Sequence, residues 1–77
     1  MTTVKVLGSG CNNCKVTAQL IADVAQSKGV AVTVEKVEEI REIMAYGVIS
    51  TPGVVIDGVV VHAGGVPTRA KVESWLS

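Results

Sequence analysis

The only two cysteines of the chain, Cys11 and Cys14, are separated by two residues and lie where one kind of pattern gives way to another. Residues 3–7 are mostly apolar and predict a short strand, whereas residues 12–28 carry apolar side chains at helical spacing. The chain must therefore pass from a strand, through a glycine-containing loop, into a helix. Because residues three apart share one face of a helix, we expect the two sulfur atoms to lie close enough to form a disulfide.

The start of a helix also predicts the chemistry of these thiols. A helix N-terminus carries a partial positive charge and unpaired N–H groups, and both stabilise a thiolate. A cysteine there has a lowered pKa and becomes a nucleophile. Between a strand and a helix of an intracellular protein, the C-x-x-C spacing is typical of a redox dithiol. The alternative interpretation is a pair of inert, buried thiols.

The rest of the chain predicts a small α/β domain. In the first helix, we expect Val16, Leu20 and Val24 to form the buried stripe, with Gly29 ending the helix. Residues 30–37 are β-branched and predict a strand of a parallel sheet covered by helices. Residues 38–46 predict a shorter helix with a narrow apolar face of Ile40, Ile43 and Met44.

A hairpin is the clearest local prediction in the second half of the chain. Asp57-Gly58 is a two-residue turn signal between the apolar runs 54–56 and 59–62. Pro67 then suits the first turn of a closing helix, whose apolar stripe includes Val72 and Trp75. The predicted order is β-α-β-α-β-β-α.

Composition limits the partners and the compartment. The 77 residues suffice for one domain, which we assign to residues 1–77, and seven basic residues balance seven acidic ones without a basic patch. Neither nucleic acid nor a membrane is expected as a partner. No apolar run is long enough to span a bilayer, and the first residues lack the layout of a signal peptide. We therefore expect a cytoplasmic protein, in which a C-x-x-C pair is more often catalytic or metal-binding than structural.

Four features together resemble the thioredoxin fold: C-x-x-C at the first helix, Thr51-Pro52 before the third strand, the Asp57-Gly58 hairpin and the closing helix. The resemblance covers the whole chain. It is closest to the small thioredoxin-like, or redox-active disulfide (glutaredoxin-like thioredoxin), proteins of bacteria and archaea. It implies a minimal thioredoxin fold, with a four-stranded mixed sheet flanked by three helices. It also implies a cis Thr51–Pro52 bond, for which X-Pro bonds have the lowest energetic cost.

The resemblance further implies the function and the roles of residues. It implies a thiol–disulfide oxidoreductase in which Cys11 is the exposed nucleophile and Cys14 the resolving thiol. The partners would be protein disulfides and a reductant of the thioredoxin reductase type. The protein would act as a monomer, with no metal and no cofactor beyond the reversible Cys11–Cys14 disulfide. The residues expected to contact the client are Gly10, Asn12, Asn13, Thr51 and Pro52.

The sequence departs from thioredoxin at the position of a buried acid. Thioredoxin carries that acid in the strand leading to the motif, whereas this chain has Lys5 there and no acidic residue before Asp23. The proton acceptor for Cys14 is therefore open at this point. Water, Lys5 and a residue of the surrounding groove are the alternatives.

A copper chaperone is the alternative function. Small copper-carrying domains also place C-x-x-C between the first strand and the first helix, and two thiolates suit Cu(I). Those domains have the order βαββαβ and usually a methionine just before the first cysteine, whereas Ser9-Gly10 precede Cys11 here. The order of the elements therefore distinguishes the two hypotheses.

Overall fold

A computed structural model describes residues 2–8 and 12–76, and the chain folds there into four strands and three helices. They are β1 (Thr2–Leu7), α1 (Asn12–Lys28), β2 (Val32–Val37), α2 (Ile40–Ala45), β3 (Gly53–Ile56), β4 (Val59–Ala63) and α3 (Arg69–Trp75). The predicted order β-α-β-α-β-β-α is confirmed, and it differs from that of the copper-carrying domains. No helix of the described residues is long and apolar enough to cross a membrane.

The four strands form one mixed sheet in the order β2-β1-β3-β4. β1 pairs in parallel with β2 and antiparallel with β3, and β3 pairs antiparallel with β4. The predicted four-stranded mixed sheet with three helices is confirmed. The carboxyl ends of β1, β2 and β4 therefore lie at the same end of the sheet as the beginning of β3. β1 directly precedes the segment with the C-x-x-C motif, and Pro52 directly precedes β3, so both segments lie at this end of the sheet.

The sheet has a different core on each face, because neighbouring residues of a strand point to opposite sides. Val54 contributes to the larger group, which we call the main core, and Val55 to a second cluster. The main core joins β1 and β3 to α1 and α3 through Val4, Val6, Ala18, Ile21, Val24, Ala25, Val54, Val72 and Leu76. The second cluster, on the α2 side, consists of Leu7, Ile43, Val48 and Val55.

The buried stripe of α1 differs from the predicted one. Val16 is 44% exposed, while Ala18 and Ala25 are buried. Small side chains let the helix approach the sheet closely, so the stripe is rotated away from the larger valine. The buried Thr17 hydroxyl is satisfied, since it donates a hydrogen bond to the Asn13 carbonyl at 2.7 Å.

The end of α1 explains why β2 starts two residues later than predicted. Gly29 ends the helix with a φ of +68°, as expected for a glycine in this position. The Val30 N–H then donates to the Ala25 carbonyl at 2.9 Å, so Val30 belongs to the helix cap. β2 lies at an edge of the sheet and exposes Thr33 and Glu35, contrary to the prediction of a strand covered on both faces.

The predicted hairpin turn is confirmed. Asp57 and Gly58 both have positive φ, at +48° and +86°, as a type I′ turn requires. Val55 pairs with Val60, but Val54 pairs with His62, so β4 has one extra residue between these pairs. This bulge was not predicted from the sequence.

Two helices are shorter than predicted because polar caps set their first residues. The Glu39 side chain caps α2, and the Thr68 hydroxyl caps α3 by accepting from the Lys71 N–H at 3.2 Å. Pro67 is therefore buried just before α3 and does not lie in its first turn. The predicted apolar face of α2 was also wrong in part, since Met44 is 64% exposed and only Ile43 is buried.

Candidate active site

Cys14 lies in the first turn of α1, is 6% exposed and is disulfide-bonded. Its location is the one predicted for the inner cysteine of the motif. Asn12 and Asn13 precede it on the same turn, and both are exposed. The predicted nucleophile Cys11 and the predicted contact residue Gly10 lie outside the described residues.

Gly8 is the residue that the Cys14 side chain packs against. Gly8 follows β1 directly, and its N–H donates to the Val37 carbonyl at 2.9 Å, which extends the pairing of β1 with β2. A Cβ atom placed on Gly8 would overlap the Cys14 Sγ atom. The site therefore requires a glycine here, at a position that the sequence interpretation assigned only to a loop. The one sequence signal for this requirement was a glycine between the end of the first strand and the start of the helix that carries the cysteine.

The Thr51–Pro52 segment reaches the same glycine from the second half of the chain. The Thr51 Cβ atom would lie 3.6 Å from a Cβ on Gly8, so Thr51 and Cys14 both approach the same point beside Gly8. The Thr51–Pro52 bond is cis, as predicted. Thr51 is exposed, whereas Pro52 is buried.

Gly64, in the loop after β4, is hydrogen-bonded to the segment that contains Pro52. Its N–H donates to the Pro52 carbonyl at 2.9 Å, and its φ is +85°. A Cβ atom on Gly64 would lie 3.2 Å from the Ser50 Cβ atom, so the loop after β4 packs closely on the segment before β3.

A small cleft lies beside Cys14 on the main-core side of the sheet. Its volume is about 20 Å³. The lining combines apolar groups with charged ones that come from the ends of neighbouring elements. The lining residues are Val6, Gly8, Cys14, Lys15, Lys36 and Glu38.

Lys5, an alternative proton acceptor, faces the other side of the sheet. It is two residues from Leu7 along β1 and therefore shares the α2 face, whereas Val6 faces α1. Its ammonium group donates to the Tyr46 hydroxyl at 3.3 Å and lies 5.9 Å from the centre of the Tyr46 ring. This hydrogen bond, together with the charge on Tyr46, raises the pKa of Lys5 above its usual 10.5. Lys5 is thus held as a cation across the sheet from Cys14.

An apolar groove of about 270 Å³ extends from Thr51 along α2. It is lined by Ile40, Ile43, Met44, Val48, Ile49 and Thr51. Three of these residues, Ile40, Met44 and Ile49, are 63%, 64% and 94% exposed, and an exposed apolar patch of this kind marks an interaction site. One end of the groove therefore lies at Thr51, the residue that approaches Gly8 together with Cys14.

Comparison with known proteins assigns the family. The model of the thioredoxin domain family matches residues 2–77. The chain is similar to a thioredoxin of Methanothermobacter thermautotrophicus, with 26% identity over 77 residues that cover all of both chains. It is also similar to a thioredoxin of Methanocaldococcus jannaschii, with 29% identity over 76 residues that cover 99% of this chain and 87% of the relative. The predicted resemblance to small thioredoxin-like proteins is confirmed, and the chain belongs to the thioredoxin domain family.

Proposed function

We propose that the protein is a thiol–disulfide oxidoreductase that uses Cys11 and Cys14 to reduce disulfides in protein clients. The observation that carries the proposal is Cys14 itself, a buried and disulfide-bonded residue in the first turn of α1. The sequence contains one other cysteine, three residues earlier. A disulfide that closes so short a span at a helix start fits a redox pair better than a structural crosslink.

The reaction proceeds by two thiol–disulfide exchanges. The Cys11 thiolate attacks one sulfur of the client disulfide, and the other client sulfur leaves as a thiolate with the electron pair. Cys14 then loses its proton and attacks the Cys11 sulfur, which releases the second client thiolate. The client gains two electrons, and Cys11 and Cys14 become a disulfide. A dithiol reductant of the thioredoxin reductase type returns the pair to its reduced form.

Thr51 and the groove along α2 support the way in which the client binds. Thr51 is exposed and lies beside Gly8, and its main chain would pair there with an extended client segment. Apolar residues flanking the client cysteine would lie against Ile49 and Met44. We propose Asn12 and Asn13, the exposed residues before Cys14, as further contacts, together with Gly10 and Pro52. Under this proposal the protein acts in the cytoplasm, as a monomer, without nucleic acid, membrane or metal.

A trapping experiment tests the proposal and the roles of the two cysteines. Cys14→Ser removes the resolving thiol, so Cys11 should accumulate as a stable mixed disulfide with a disulfide-containing client such as insulin. Cys11→Ser is the matched control and should give no such adduct. Adducts formed only by Cys11→Ser would reverse the roles.

The redox potential tests the chemistry independently of any client. In glutathione buffers of graded composition, the wild-type protein should interconvert between a dithiol and an intramolecular disulfide. The potential should fall within about −270 to −120 mV, the range of known C-x-x-C proteins. The absence of a reversible disulfide, together with tight 1:1 binding of Cu(I), would overturn the proposal in favour of a copper chaperone.

A further inference from the structure

The cleft beside Cys14 has room for one water molecule. A cavity needs about 10–15 Å³ to hold a water, and this cleft provides about 20 Å³. Polar groups line it, so a water there has hydrogen-bond partners. Glu38, an exposed residue that directly follows β2, is the acidic residue of that lining.

The resolving step needs a proton acceptor near this cleft. A thiolate, and not a thiol, attacks the mixed disulfide, and burial disfavours the charged form of a thiol. Lys15 and Lys36 are the basic residues of the lining, and a positive charge favours a thiolate beside it. Lys5 faces the opposite side of the sheet and is held by Tyr46. Among the described residues that line the cleft, Glu38 is the one with a carboxylate, the kind of group that can accept a proton.

We propose that Glu38 accepts the proton of Cys14, through one water molecule in this cleft, during resolution of the mixed disulfide. The inference rests on the proposed oxidoreductase function. The Cys14 proton passes to the water as the water passes a proton to the carboxylate. The Cys14 electron pair forms the bond to the Cys11 sulfur, and the bond from Cys11 to the client breaks with its pair on the client sulfur. Glu38 then returns the proton to solvent or to the released client thiolate.

A two-phase reaction with the aromatic disulfide 5,5′-dithiobis(2-nitrobenzoate) isolates this step. Reduced protein should release one coloured thiolate when Cys11 attacks and a second when Cys14 resolves the adduct. The coloured thiolate leaves without protonation, so the second phase reports loss of the Cys14 proton. Stopped-flow traces recorded between pH 6 and 9.5 give both rates from one sample.

Glu38→Gln should slow the second phase at least tenfold at pH 7 and leave the first phase unchanged. The difference should shrink towards pH 9.5, where hydroxide removes the proton directly. Glu38→Asp, which keeps a carboxylate, should recover part of the rate. Glu35→Gln is the matched control, because it makes the same charge change on β2 at a residue paired with Lys5. It should leave both phases at the wild-type rate.

Three outcomes would overturn the role of Glu38. They are a wild-type second phase in Glu38→Gln, an equal slowing in Glu35→Gln, or a slowing that is the same at every pH. If the wild-type protein shows a first phase but never a second, the oxidoreductase proposal itself fails, and the role of Glu38 fails with it.

Discussion

Gly8→Ala tests whether Gly8 is the contact that fixes the position of Cys14. The added Cβ would overlap the Cys14 Sγ atom and lie 3.2 Å from the Cys14 Cβ atom. Both atoms belong to the buried side chain of Cys14, so the new methyl group must displace that side chain. Overpacking of this kind costs about 1–3 kcal/mol. The loss of glycine flexibility in the unfolded chain offsets about 0.4–1 kcal/mol of that cost.

We therefore expect Gly8→Ala to lower the free energy of unfolding by about 1–2 kcal/mol. At ~0.05–0.15 kcal/mol per residue, a chain of 77 residues has roughly 4–12 kcal/mol of stability, so the variant should still fold. The assay is urea unfolding under reducing conditions, which keeps every variant in the same covalent state. The midpoint of thermal unfolding should fall by about 4–8 °C for each kcal/mol.

A double-mutant cycle assigns the cost to the sulfur atom. In a Cys14→Ala background the overlapping Sγ atom is absent and only the 3.2 Å contact with the Cβ atom of residue 14 remains. Adding Gly8→Ala should therefore cost about 1 kcal/mol less in that background than in the wild type, and this difference is the coupling energy of the two sites. An equal cost in both backgrounds, or no cost in the wild-type background, would refute the packing argument.

Two further predictions concern the α2 face. Ile49→Ser should raise the KM for a protein disulfide severalfold and leave the rate with a small aromatic disulfide unchanged. It should change the free energy of unfolding by less than about 0.5 kcal/mol, because the side chain is 94% exposed. Equal effects on both substrates would contradict a docking role for the groove. Tyr46→Phe removes the largest cause of the raised pKa of Lys5, so that pKa, followed by NMR of the ammonium group, should fall towards 10.5. The raised pKa of Lys5 stabilises the fold below about pH 10.5, and this stabilisation is lost as the pH rises through the folded-state pKa. Tyr46→Phe should therefore also reduce the loss of stability at alkaline pH. An unchanged Lys5 pKa would show that the hydrogen bond is not the cause of the raised pKa.

The sequence predicted those features that depend on local chemistry. The spacing after Cys14 located α1 with both of its ends, and Asp57-Gly58 located the hairpin turn, because only a few residue types tolerate positive φ. The Thr51-Pro52 dipeptide pointed to the cis bond through the family resemblance. Each of these signals acts within a few residues of the structure that it determines.

The parts that failed depend on packing between distant segments. The rotation of α1 towards Ala18 reflects the distance between helix and sheet, which hydrophobic periodicity alone does not give. The closeness of Gly8 to Cys14 depends on where β1 ends relative to α1. Glu38 joins the cleft only because β2 lies beside β1 in parallel. The glycine at the end of β1 was the one signal for Gly8, and Glu38 carried none until the topology was known.

The two unequal cores have a consequence for local opening of the fold. Among the described residues, the core cluster on the α2 side has four buried apolar residues, whereas the main core on the α1 and α3 side has nine. Segments with few buried contacts open at lower free energy, so amide hydrogen exchange in α2 should be faster than in the centre of α1. Under the proposed function, the α2 side of the groove would then adapt to clients of different shape, while α1, which carries Cys14, would open less often.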